Sequence, residues 1–125
     1  MEGYKATIEK ASKELSAKEK IKIKDMSDAY KLDDLVREED LILTPAYYAI
    51  VAVHNEKSDT KDSKKIVIVD AEGSKYTTGS MPFITTFEDI MAEMEEAGEA
   101  DFQLKIYPKE SKNYKGKYFL TCSII

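Results

Sequence analysis

The chain has 125 residues and a mass of 14.2 kDa, room for one ordinary domain, and its 42% apolar content and mean hydropathy of −0.46 point to a soluble chain with a single core. Nineteen Lys and Arg against 24 Asp and Glu leave a net charge of −5 and a pI near 5.0. That balance argues against an unselective basic coat for nucleic acid and against a polybasic membrane binder.

No apolar run approaches the ~20 residues of a membrane span. The opening Met1-Glu2-Gly3-Tyr4-Lys5 lacks the apolar stretch of a secretory signal, so a cytoplasmic location is expected. One cysteine forms no internal disulfide, in keeping with a reducing compartment. One histidine and one cysteine do not make a Cys/His zinc site, and no metal or cofactor is expected. Cys122 and His54 both lie in apolar alternating segments, where a core thiol and a strand-end imidazole are the simpler roles than a nucleophile pair. Phosphate-loop, GxGxxG and HExxH patterns are absent, so no enzyme is expected.

Residues 1–20 read as a charged arm or short helix, with Ile8, Ala11 and Leu15 near helical spacing, ahead of one domain over 21–125. Ile21-Lys22-Ile23-Lys24-Asp25 alternates as a strand does and resumes at Ala29-Tyr30-Lys31-Leu32. Leu41-Ile42-Leu43 and Tyr47 to His54 form the strongest strand signal, with Pro45 marking an edge or start. The polar stretch 55–64 is a solvated hairpin connection, Ile66 to Val69 a buried strand, and Asp70-Ala71-Glu72-Gly73 a turn into Lys75 to Gly79. Phe83, Phe87, Ile90, Met91 and Met94 then recur at helical spacing, with Thr85 and Glu88 in capping-box form and Gly98 as a stop. Two alternating strands, 102–107 and 117–124, flank a turn-rich basic connection. Three strands, a helix and two strands is the layout of an OB-fold, a mostly β five-stranded barrel with one helix between the third and fourth strands.

The net charge conceals a segregation. Residues 88–101 carry seven carboxylates and no basic residue, whereas 102–118 carry five lysines against Glu110, a local charge of +4. The acidic run has the composition of a wet helix face. The lysines are threaded with rings, the combination that binds single strands by neutralising phosphates and stacking unpaired bases. The candidate DNA-binding set is Lys105, Tyr107, Lys109, Lys112, Tyr114, Lys115, Lys117 and Phe119, with Lys75, Tyr76 and Tyr48 from earlier strands. Parity places Lys105, Tyr107, Lys117 and Phe119 on one face and assigns Tyr118 to the core with Leu120 and Cys122. Tyr47 and Tyr48 must point opposite ways, and the pattern leaves open which faces a ligand. Stacking and phosphate contacts serve RNA as well as DNA.

The stretches 11–19 leading into Lys24-Asp25, Lys75 to Ser80 with Phe83, and above all Ser111-Lys112-Asn113-Tyr114-Lys115-Gly116-Lys117, resemble the small single-stranded DNA-binding proteins encoded by tailed phages of Gram-positive hosts. The resemblance implies an OB-fold that coats exposed DNA during phage replication or recombination, in the host cytoplasm, alongside replication or recombination proteins. The acidic C-terminal tail of bacterial single-strand binders is not present in Thr121-Cys122-Ser123-Ile124-Ile125. The leading expectation is therefore a sequence-independent single-stranded DNA-binding protein. The alternative is an accessory module that engages a basic protein through the acidic segment 88–101. The N-terminal segment or a free strand edge is available for a homodimer, though no residue requires one.

Overall fold

The structure is a computed structural model and describes residues 3–37, 39–57, 62–99, 101–112 and 116–125. Its elements run β1 (Tyr4–Ala11), α1 (Ala17–Lys24), a 3₁₀ turn (Met26–Asp28), β2 (Tyr30–Lys31), α2 (Leu32–Leu35), β3 (Leu41–Leu43), β4 (Pro45–Asn55), β5 (Asp62–Asp70), β6 (Lys75–Thr78), α3 (Met81–Glu96), β7 (Leu104–Glu110) and β8 (Tyr118–Ile124). Among the described residues the protein is mostly β, with two sheets and three α-helices. One sheet has the order β1-β4-β5-β6-β2 and the other β3-β7-β8; among the described residues no closed barrel is formed, in place of the barrel expected from the element order. The described helices include none long and apolar enough to cross a membrane.

The chain divides into two compact units, 1–30 with 46–79, and 31–45 with 80–125. In the first, Leu15, Ile23, Ala49, Val51, Val53, Val67 and Val69 make one buried cluster on one face of the five-stranded sheet. Strand β1 joins this sheet where an arm or short helix is expected. Its register against β4 runs Ala6↔Val53 and Ile8↔Val51, then slips at Glu9 so that Ala11 faces Ala49. The bulge adds one residue and re-phases the strand, which keeps Ala6, Ile8 and Ala11 packed on the same core. An Ile8-to-Ala11 spacing of three therefore imitates a helix while belonging to a strand.

The opposite reversal occurs over 21–25, where alternating Ile and Lys read as a strand but the chain is helical. Ser16 caps α1 by accepting the Glu19 N–H, and the Glu19 carboxylate accepts the Ser16 N–H. This reciprocal pairing satisfies two free donors and starts the helix upstream of the alternation. Lys13 beside Glu19, together with the Ser16 N–H, pulls the Glu19 carboxyl down to about 2. Ile23 alone of the helix is buried, and Ile21 stands in solvent.

In the second unit α3 packs along β8, and its Phe83 and Phe87 are fully buried with ring centroids 5.7 Å apart. Burying each ring contributes about 2–3 kcal/mol. The helix begins five residues earlier than the Thr85/Glu88 pair suggests. Ser80 is the cap and Pro82 occupies the first turn, where its missing N–H has no consequence. It ends before Gly98, whose φ of +74° reverses the chain.

Candidate nucleic-acid interface

The β7–β8 hairpin sorts its side chains by register. Lys105 faces Ser123, Tyr107 faces Thr121, and Lys109 faces Phe119. Directly opposed residues share a face, so Lys105, Tyr107, Lys109 and Phe119 lie together. Strand β3 extends this face by placing Ile42, exposed at 48%, opposite Lys105. The other face carries Leu104, Ile106, Leu120 and Cys122, all buried. Burial pushes the Cys122 thiol up to about 12, which makes it a core residue rather than a nucleophile.

The rings and cations are placed for a ligand to reach. Tyr107 and Phe119 are half-buried, and Lys105, Lys109, Lys112 and Lys117 are exposed. The Lys105 Nζ lies 5.5 Å from the Tyr107 ring centroid and 3.2 Å from Asp40 Oδ2. The Lys105 and Asp40 side chains are each 46% exposed, so this pair contributes little to stability. No ion pair is made by Lys109, Lys112 or Lys117 among the described residues. The Ser111 N–H donates to the Lys117 carbonyl at 2.8 Å and closes the hairpin end, with Gly116 at φ +81°. A groove of about 490 Å³ opens there, lined by Pro82, Ser111, Lys117, Tyr118 and Phe119.

Tyr118 corrects the sequence reading: it is 64% exposed rather than part of the core. Parity is right about its face and wrong about the length of the core. Tyr118 is the first residue of β8 and opposes the exposed Glu110, beyond the last buried pair. Tyr114 and Lys115 lie outside the described residues.

The three candidates from the first unit are placed differently. Tyr48 is buried at 5% and offers no stacking surface. Its backbone N–H donates to Ser12 Oγ, while Tyr47 packs on the cluster beneath the Lys13 ammonium, 4.5 Å from its ring centroid. Lys75 is no free cation either. Its Nζ donates to the Lys22 and Asp25 carbonyls at 2.7 and 2.8 Å and pairs with Asp28, with the side chain 12% exposed. Tyr76 is half-buried against Tyr30 at 5.7 Å, and its hydroxyl donates to Asp70 Oδ2. Burial first, then the Asp70 charge, raises its hydroxyl above the ordinary tyrosine value.

The structure also brings Pro82, Ser111, Tyr118 and Ile42 to this region, none of them in the candidate DNA-binding set read from sequence. Strand register places Ile42 and Tyr118 there, and the packing of α3 and the hairpin end brings Pro82 and Ser111. His54 stands apart in the first unit, with Nδ1 2.7 Å from Asp62 and Nε2 2.6 Å from Glu56. Compared with protein-family models, with curated proteins and with solved structures, the chain matches none of them.

Proposed function

We propose that the protein binds single-stranded DNA without sequence preference, in phage replication or recombination, on a variant of the OB barrel. The observation that carries the reading is the shared face of Lys105, Tyr107, Lys109 and Phe119, which alternates cations with rings along one hairpin. The OB reading draws support from the β4–β5–β6 meander, then α3, then the β7–β8 hairpin in that chain order. It draws support too from the run 41–55, which pairs with β7 through β3 and with β5 through β4. Exposed acids on α3 (Asp89, Glu93, Glu95 and Glu96) repel DNA elsewhere in this unit and favour the basic hairpin.

Four lysines on phosphates give a salt slope of about −3 in log K against log salt. Each of Tyr107→Ala and Phe119→Ala removes a stacking contact worth about 1–3 kcal/mol and leaves that slope unchanged. The test compares fluorescent oligo(dT) with a duplex of equal length at two salt concentrations. Single-strand preference with the expected slope supports the reading. Equal affinity for duplex, or no binding at low salt, refutes it. Capture of a basic protein by the wild type, lost when the α3 acids are neutralised and without any DNA affinity, would favour the accessory-module reading.

A further inference from the structure

We propose that the Tyr118 ring stands between two consecutive bases of the bound strand, with Lys117 and Arg37 on the flanking phosphates. The proposal rests on the single-strand reading above and extends the strand's path around the hairpin end onto the opposite face. Adjacent strand residues point to opposite faces, yet Tyr118 and Phe119 line the same groove of about 490 Å³ with Lys117 and Pro82. Tyr118 is also a wall of a second hollow, about 190 Å³, which holds Pro108, Asp33 and Arg37. Phe119 lines both spaces too, but Tyr118 is the more exposed ring of the two, at 64%; it borders the larger space with Lys117 and the smaller with Arg37 and Asp33.

The larger space exceeds the ~300 Å³ lower bound of small-ligand pockets and admits a nucleotide, while the smaller admits part of a base. The aromatic wall, with Lys117 in its lining and Lys109 paired opposite Phe119, matches a base carried on an anionic backbone better than an apolar peptide. Arg37 reaches Asp34 Oδ1 at 3.3 Å with both side chains well exposed, 75% and 58%, so the pair yields readily to a phosphate. Asp33 lines the smaller hollow and Glu110 opposes Tyr118 across the strands, so Arg37 is the cation that offsets their charge there.

The experiment measures anisotropy of fluorescent oligo(dT) and of an abasic oligonucleotide of equal length. Tyr118→Ala is expected to weaken oligo(dT) binding roughly 5- to 150-fold, one stacking contact, and to leave abasic binding unchanged. Tyr118→Trp keeps a ring and retains wild-type affinity. Arg37→Gln weakens both probes alike and lowers the salt slope by about one phosphate contact. Should Tyr118→Ala bind oligo(dT) like wild type while Tyr107→Ala does not, the Tyr118 placement is refuted and the single-strand reading stands. Equal loss on both probes from Tyr118→Ala also overturns it, because the residue then acts through the fold. A wild type that binds neither probe overturns both readings.

Discussion

Lys75→Met separates a structural lysine from a DNA-binding one. In the folded protein the Lys75 ammonium donates to two carbonyls at the C-terminal end of α1, Lys22 O and Asp25 O, and only 12% of the side chain reaches solvent. A hydrogen bond involving a charged group contributes about 1.5–3 kcal/mol. Both carbonyls belong to exposed residues and recover water, so the two bonds together count for about one. The cation beside a helix C-terminus adds about 0.3–1 kcal/mol. The pair with Asp28, whose side chain is 66% exposed, adds little. Methionine keeps the buried stem and its packing, which leaves an expected loss of about 2–3 kcal/mol. In urea unfolding this lowers the midpoint by about 1–2 M without changing the slope. Affinity for oligo(dT), measured where the variant is fully folded, should match wild type. A loss below about 0.5 kcal/mol, the range of ordinary surface changes, refutes the clamp. Wild-type stability with weakened DNA binding would return Lys75 to the interface.

His54 holds two carboxylates at once, and both ring nitrogens can donate only in the imidazolium form. Asp62 foremost and Glu56 next raise its pKa above 6.5. The stability this cluster contributes is present below 6.5 and lost as pH rises through the elevated folded value. Amide exchange at the β4–β5 hairpin should therefore accelerate with pH beyond the intrinsic rate, and His54→Gln should abolish that extra dependence; an NMR titration of His54 with no upward shift would contradict it. Cys122 should resist thiol reagents in the native protein at neutral pH and react on unfolding; rapid native labelling would contradict its burial.

Elements with a strong local apolar pattern are legible in the sequence. Strand β7 alternates buried Leu104 and Ile106 with accessible neighbours. Strands β4 and β5 instead each carry four consecutive buried residues, 48–51 and 66–69, and are marked by an apolar run rich in β-branched and aromatic residues. The helical stripe of Phe83 and Phe87 was equally plain, although its start was fixed by Ser80 and Pro82 rather than by Thr85. Two segments were misassigned for opposite reasons. The bulge at Glu9 gave β1 a helical spacing, and the Ile21/Ile23 alternation hid a helix launched by Ser16 and Glu19.

By itself, then, the sequence determined a mostly β chain with an acidic helix, a lysine-and-aromatic hairpin, and Lys105, Tyr107 and Phe119 on one side of it. Those properties follow from charge order and strand parity, which are local. Only the tertiary structure decided which rings and cations remain accessible. Tyr48 is buried, Lys75 is bonded to α1, and Tyr118 stands exposed past the end of the core. Accessibility depends on what non-local elements cover and on where a core runs out, and parity along one strand carries no information about either.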